Sequence, residues 1–300
     1  MEINPANLLG LHRNFKAITF RQLGQYTPFH PRLTMPTRSN AREEVMTWLG
    51  SFPRMRKFKG SADVANLVSS SWSIVNEPYH NTIAIKREDI ERDNVGTYAP
   101  RFQLLGEDAA QHPDFLLTDL LTGGFTNKDY TGKNFFDTAK KHLKNGKATF
   151  TNLSTKKLTQ AYFEVGRKTL LGVLDEDGRP MLPNTKLTLI VGPELLSTAE
   201  NIVEVRALAG GADNSSYGKA EILCLPMLGT STAWFLMNTA SDIVRPFCWQ
   251  EEVVAEFSSQ TDPGSDRVFL LKEYAFQAYR RGQMAYLCPQ AAYGSTGADA

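Results

Sequence analysis

Trp72-Ser73-Ile74-Val75-Asn76-Glu77-Pro78-Tyr79-His80, then Thr82-Ile83-Ala84-Ile85, and then, after Pro100, apolar positions at Phe102, Leu105, Ala109, His112, Leu116 and Leu120 frame the rest of this 300-residue chain. The last six recur at close to the helical period, and Gly123-Gly124 supplies a stop, so a long helix is predicted here. Pro113 should kink it or divide it, because proline removes one backbone donor and crowds the carbonyl four residues earlier. His112 lies on the apolar stripe with no second histidine or acidic cluster one turn on, which reads as a packed histidine. Upstream, Arg56-Lys57-Phe58-Lys59-Gly60 opens a stretch with strand-like ends and a middle rich in Ser, Ala and Asn. A lone two-stranded hairpin is marginal in water. Such a loop is therefore expected to project and to be ordered by another subunit.

Working outward, residues 1–45 hold few large apolar side chains beyond Leu8-Leu9, Leu11 and Phe15, and are punctuated by Pro5, Pro28, Pro31 and Pro36. A short helix over Leu8–Phe20 and an otherwise extended arm that packs little core are expected. Charge is uneven: up to residue 60 there are ten Lys and Arg against three Glu, an excess of seven, while the whole chain carries a formal +1. Arg13, Lys16 and Arg21 are the candidates there for meeting acidic neighbours or, through phosphates, nucleic acid. The overall composition, 42% hydrophobic and 22% charged, is that of a globular protein with a sizeable core.

From Leu153 to Val244 the rhythm changes. A helix opens near Ser154 with Leu158, Ala161, Tyr162, Val165 and Thr169 along its expected inner face, and Asp175-Glu176-Asp177-Gly178 reads as a turn. Leu187–Val191 reads as a strand. Gly192-Pro193 opens a helix with Leu195, Leu196, Ala199, Ile202 and Val203 inward. After the small-residue loop Ala209–Asn214, Glu221–Leu225 and Trp234–Met237 look like buried strands, so a sheet covered by helices is predicted. Strands are also expected near Phe247–Val254, Val268–Lys272 and Gln283–Leu287. The tail Gly294–Ala300 looks too small and polar to pack.

The sequence holds little chemistry. Gly229-Thr230-Ser231-Thr232-Ala233 lacks the second glycine of a nucleophile elbow, no phosphate loop ends in Lys-Ser or Lys-Thr, and no His-Glu-x-x-His occurs. Asp175–Gly178 lacks the ligand spacing of a calcium loop, and Asp262-Pro263-Gly264 with Asp266 is best read as a turn. No catalytic, cofactor or metal residue is assigned. Cys224, Cys248 and Cys288 are odd in number and set among apolar neighbours, which points to buried thiols in a reducing compartment. No leader-like start and no membrane-length apolar run is present, so synthesis in a cytoplasm is expected, without a membrane partner.

Several short runs fall in a recognisable order. Trp48-Leu49-Gly50-Ser51-Phe52-Pro53, Ile83 through Asp93, Gly96-Thr97-Tyr98-Ala99-Pro100, Ala109 through Asp114, Gly132 through Thr138, Asp177-Gly178-Arg179-Pro180, Ala233-Trp234-Phe235-Leu236 and Thr261-Asp262-Pro263 resemble the major head subunit of Mu-like tailed phages. The resemblance covers nearly the whole chain. It implies an α+β protein with the Hong Kong 97-type capsid fold: an N-terminal arm (1–45), an extended β-hairpin loop with flanks (46–82), a peripheral domain with a long spine helix (83–152 and 245–275), and an axial domain with a helix-covered sheet (153–244 and 276–300). On that reading the assembly residues are Arg56, Lys57, Lys59, Trp72 and Tyr79 in the loop and Arg13, Lys16 and Arg21 in the arm. Gly210, Gly211, Asp213 and Asn214 are the candidates for lining the capsomer axis. Implied partners are other copies of the chain in pentamers and hexamers, a scaffold protein, a portal and packaged double-stranded DNA, with a decoration protein left open. The implied setting is the virion, assembled in a bacterial cytoplasm. An encapsulin-like compartment of the same fold, or a cytosolic enzyme of another family, are the alternatives.

Overall fold

The computed structural model describes residues 3–49, 69–92, 94–141, 149–174, 180–181, 186–207, 211–241, 244–262 and 264–299. In chain order these form helix α1 (Pro5–Leu23), strands β1 (Thr34–Arg38), β2 (Glu43–Leu49), β3 (Ser69–Val75) and β4 (Glu77–Lys86), and helices α2 (Arg87–Glu91) and α3 (Ala99–Gly123). Short strands β5 (Lys140–Lys141), β6 (Thr149–Phe150) and β7 (Leu153–Ser154) lead to helix α4 (Gln160–Leu171). Strand β8 (Leu187–Val191), helix α5 (Leu196–Val203), and strands β9 (Glu221–Cys224), β10 (Trp234–Asn238) and β11 (Phe247–Gln260) follow. Helix α6 (Asp266–Leu271) and strands β12 (Glu273–Tyr286) and β13 (Ala292–Ser295) complete the set.

The first sheet has the order β1-β11-β12-β4. Its centre is the antiparallel pair β11–β12, flanked by β4 antiparallel to β12 and by β1 parallel to β11, from Thr34 opposite Phe247 to Arg38 opposite Glu251. Pro36 is tolerated because β1 is an edge strand. Phe15, Phe102 and Phe276 meet over this sheet, with the Phe15 and Phe102 rings stacked at 3.9 Å.

Helix α1 contains the helix expected over Leu8–Phe20, but its packing corrects the expectation that this segment adds little core. The Asn4 side chain caps α1 by accepting from the Asn7 amide at 2.8 Å, and Leu8, Leu11 and Phe15 are buried in one cluster with Phe102, Leu105, Phe257 and Phe276. Three apolar residues on one face join a cluster that includes Phe102, Phe257 and Phe276, where burial contributes about 1.5–3 kcal/mol per large side chain. Close approach of α1 to α3 depends on Gly106, where an added Cβ would lie 2.2 Å from the Thr19 carbonyl oxygen.

The second sheet, β7-β13-β10-β8-β9, is buried along β8, β10 and β13 and is covered by α4 and α5. Helix α4 begins at Gln160, with Thr159 as its cap, and buries Phe163, Gly166 and Leu170. Tyr162 and Val165 face outward, contrary to the predicted stripe, because the inner face is defined by the flat fit of Gly166 against Tyr293 and Trp234. The tail also differs from expectation: β13 pairs with β10 and β7 and is fully buried. Beyond it, Gly297 takes φ +66° against the Thr232 carbonyl, a place no side chain fits. Residues expected as a strand at Val268–Lys272 form α6 instead, and Gln283–Tyr286 continue β12 in the first sheet rather than entering the second.

Candidate assembly surfaces

Strands β2 and β3 pair only with each other among the described residues, from Glu43 opposite Val75 to Leu49 opposite Ser69. The root of this ribbon belongs to the subunit. Ile74 is buried with Val244, Cys248, Leu287 and Cys288, and the Asn76 amide donates to Ser39 Oγ (3.0 Å) and the Ala41 carbonyl (2.8 Å) while accepting from Gln250 Nε2 (2.8 Å). Trp72 stacks on Tyr130 with ring centroids 5.2 Å apart. Tyr79 lies in β4, not in a loop, and its ring sits 4.1 Å from that of His112. Both aromatic candidates are therefore used inside their own subunit. Arg56, Lys57 and Lys59 lie outside the described residues, as does the turn at Asp175–Gly178. Burial pushes the His112 imidazole below its ordinary value, with Arg280 adding to the effect, and burial likewise pushes the Tyr79 phenol up.

Helix α3 runs unbroken through Pro113, so the predicted division does not occur. The carbonyl that Pro113 leaves without its helical donor is that of Ala109, and the Arg280 guanidinium, from β12, donates to it at 2.9 Å. The same guanidinium pairs with Glu251 at 2.8 Å and lies 5.3 Å from the Trp249 ring centroid. One residue on, buried Asp114 accepts from the Phe29 and His30 amides, His30 Nδ1 and the Tyr26 hydroxyl. Burial alone would raise this carboxyl, but the bonds from His30, Phe29 and Tyr26 hold it below the ordinary carboxylate value. Asp114 thereby ties the α1–β1 connection to α3. Sequence reasoning missed Asp114 and Arg280, whose partners lie 85 and 171 residues away in the chain.

On the outer side of α3 two large apolar side chains stand exposed among polar ones, with Asp108 and Gln111 between them. Leu104 (63% exposed) and Phe115 (45%) are three helical turns apart on one side, and Phe269, Leu270 and Leu271 of α6 are more than half exposed. On α1, Arg13, Lys16 and Arg21 point to solvent, away from the buried Leu8–Phe15 face, with Lys16 Nζ 5.7 Å from the Phe20 ring centroid.

Of the axial candidates, Gly211 and Asp213 are exposed, and Gly210 lies outside the described residues. Asn214 is turned inward: its amide donates to the Ile202 (2.9 Å) and Val205 (2.7 Å) carbonyls and its oxygen accepts from Ser216 N and Gln160 Nε2. It is the latch that holds this loop on the end of α5. Cys224, Cys248 and Cys288 are unpaired, and burial pushes their thiols up, Cys288 to about 12. Asp262 organises a turn by accepting from the Gly264 amide at 2.9 Å. Among the described residues there is no group of three or more potential metal ligands, and no helix is long and apolar enough to cross a membrane.

A helix-flanked four-stranded sheet, a helix-covered five-stranded sheet and a separate β-ribbon together define the Hong Kong 97-type fold of tailed-phage capsid proteins. The chain superposes with a TM-score of 0.62 on a subunit of the procapsid of bacteriophage JBD30, covering 98% of this chain and 76% of that one at 23% identity. The family model for the Mu-like prophage major head subunit gpT matches residues 8–163, 149–228 and 226–298. The major capsid protein of Escherichia phage Mu is 31% identical over 286 residues, 95% of this chain and 72% of that protein. The Mu-like prophage FluMu major head subunit of Haemophilus influenzae is 36% identical over 137 residues, 46% of this chain and 43% of that protein. The chain belongs to the Mu-like major head subunit family and is a major capsid protein.

Proposed function

We propose that the subunits close the icosahedral shell by laying the β2–β3 ribbon of one subunit along the outer side of the next subunit's α3. What supports this is a ribbon that pairs with no other strand among the described residues, together with two large apolar side chains, Leu104 and Phe115, left exposed on the longest described helix. The ribbon is anchored to its own subunit only at its root, and copies related by rotation would cover the remainder and the exposed side chains together. The first sheet with α1 and α3 is then the peripheral domain and the second sheet with α4 and α5 the axial domain. This division follows the sheets, so β12 in its entirety joins the peripheral part and β13 the axial part. The exposed loop carrying Gly211 and Asp213 faces the capsomer axis. The basic side chains Arg13, Lys16 and Arg21 meet acidic neighbours or packaged DNA. Scaffold, portal and a host bacterial cytoplasm complete the setting.

Function on this reading lies in association rather than catalysis. Individual contacts of about 1,600 Å² leave only a modest surplus after entropy and desolvation, and closure by symmetry multiplies them into a stable shell. Electron microscopy of the full chain expressed with its scaffold should show closed shells, tubes or capsomers. A stable monomer at micromolar concentration with scaffold present would refute the proposal, and shells filled with protein cargo rather than DNA would favour an encapsulin-like compartment.

A further inference from the structure

The turn after α3 and strand β5 bring Asp129 and Lys140 together, with Lys140 Nζ directly on Asp129 Oδ2 and neither side chain exposed. The other carboxylate oxygen, Oδ1, accepts from the Thr131 amide at 2.9 Å and from the Thr131 hydroxyl. Around the pair stand the Phe135 ring, 5.5 Å from Nζ, and the fully buried Cys288. The geometry points to an intramolecular amide bond between the Lys140 amine and the Asp129 carboxyl, formed by the folded chain itself.

Three features favour the reaction over a simple ion pair. The reaction consumes the neutral amine and the neutral acid, which a proton moved from Nζ to Oδ2 within the contacting pair supplies. Burial pushes the Lys140 amine below its ordinary value, an effect that Asp129 opposes. The lone pair of Nζ then attacks Cγ, and the charge that develops on Oδ1 falls where the two Thr131 donors already point, in the manner of an oxyanion hole. Oδ2 leaves as water, carrying its own proton and one from the nitrogen. One carboxylic acid and one amine become one amide and one water, and no oxidant or reductant is needed. Fixed placement of the two groups supplies the effective concentration that free lysine and aspartate lack.

The test is the intact mass of the full chain, from purified shells and from unassembled subunits, weighed after denaturation. The expected mass is one water below that of the sequence, and proteolysis should yield a branched pair of peptides joined through Asp129 and Lys140. Asp129→Ala and Lys140→Met should restore the full mass, whereas Asp129→Asn should give the same joined product by releasing ammonia. Thr131→Val should slow the joining. Full sequence mass in aged wild-type shells would overturn the inference, as would a one-water deficit that survives in Lys140→Met. Because the wild-type mass decides alone, a variant that fails to fold leaves the test intact.

Discussion

Arg280→Met tests how α3 stays whole across Pro113. In the wild type the guanidinium supplies the donor that proline denies to the Ala109 carbonyl, and it pairs with Glu251 on the neighbouring strand. Methionine keeps the packing of the stem but strands a partly buried carbonyl and a carboxylate. An unsatisfied group of this kind costs about 1–3 kcal/mol, and loss of the charged partner adds to it. Pro113→Ala restores an amide at position 113 that can donate to Ala109 within the helix, so it removes one of the two reasons for needing Arg280. In a double-mutant cycle the arginine substitution should therefore cost about 1–3 kcal/mol less in the Pro113→Ala background than in the wild type. The assay is equilibrium urea denaturation of the unassembled subunit, followed by circular dichroism, on the four proteins of the cycle. Additive costs, equal within a few tenths of a kcal/mol, would show that the Ala109 carbonyl is not what Arg280 serves.

Three other outcomes are expected. Gly106→Ala should lower the melting temperature even though alanine favours helix by about 1 kcal/mol, since its Cβ would meet the Thr19 carbonyl oxygen at 2.2 Å and must push α1 off α3; an unchanged or raised melting temperature would contradict the packing. Asp114, whose folded carboxyl titrates below its unfolded value, stabilises the fold above about pH 4 and loses that contribution as pH falls through the folded value; Asp114→Asn should be less stable at neutral pH and show a shallower acid-induced loss in pH-dependent denaturation. Replacing residues 51–68 by a short Gly-Ser turn should leave thermal melting unchanged and abolish shells in sedimentation velocity, whereas a cut extended to Tyr79 removes Trp72, Ile74 and Asn76 and should unfold the subunit.

What the sequence made legible was governed by local spacing. Phe102, Leu105 and the Gly123-Gly124 stop announce α3, and Leu187–Val191 and Trp234–Met237 announce buried strands, because period and composition act within a few residues. The burial of α1 was not legible, since Leu8, Leu11 and Phe15 gain their value from aromatic residues near positions 102, 257 and 276. The inner face of α4 was misread for a related reason: Gly166 contributes no apolar mass, yet its absent side chain admits Tyr293. Asp114 and Arg280 look like ordinary surface charges in sequence, and only distant partners give them their roles. Asn214, placed on the axial loop by resemblance, proved to be a bond-maker whose acceptors cluster at the end of α5. Among the candidate assembly residues, Trp72 and Tyr79 show that aromatic content in this part of the chain serves packing within the subunit.

The placement of β13 sets the order in which this chain can mature on the ribosome. Residues 292–295 lie between β10 and β7, inside the second sheet, and β1 near the other terminus pairs with β11 more than two hundred residues later. Until β13 has emerged, β10 offers a bare edge flanked by apolar side chains, a template for pairing with other unfinished chains. The second sheet therefore closes only after β13 has been made.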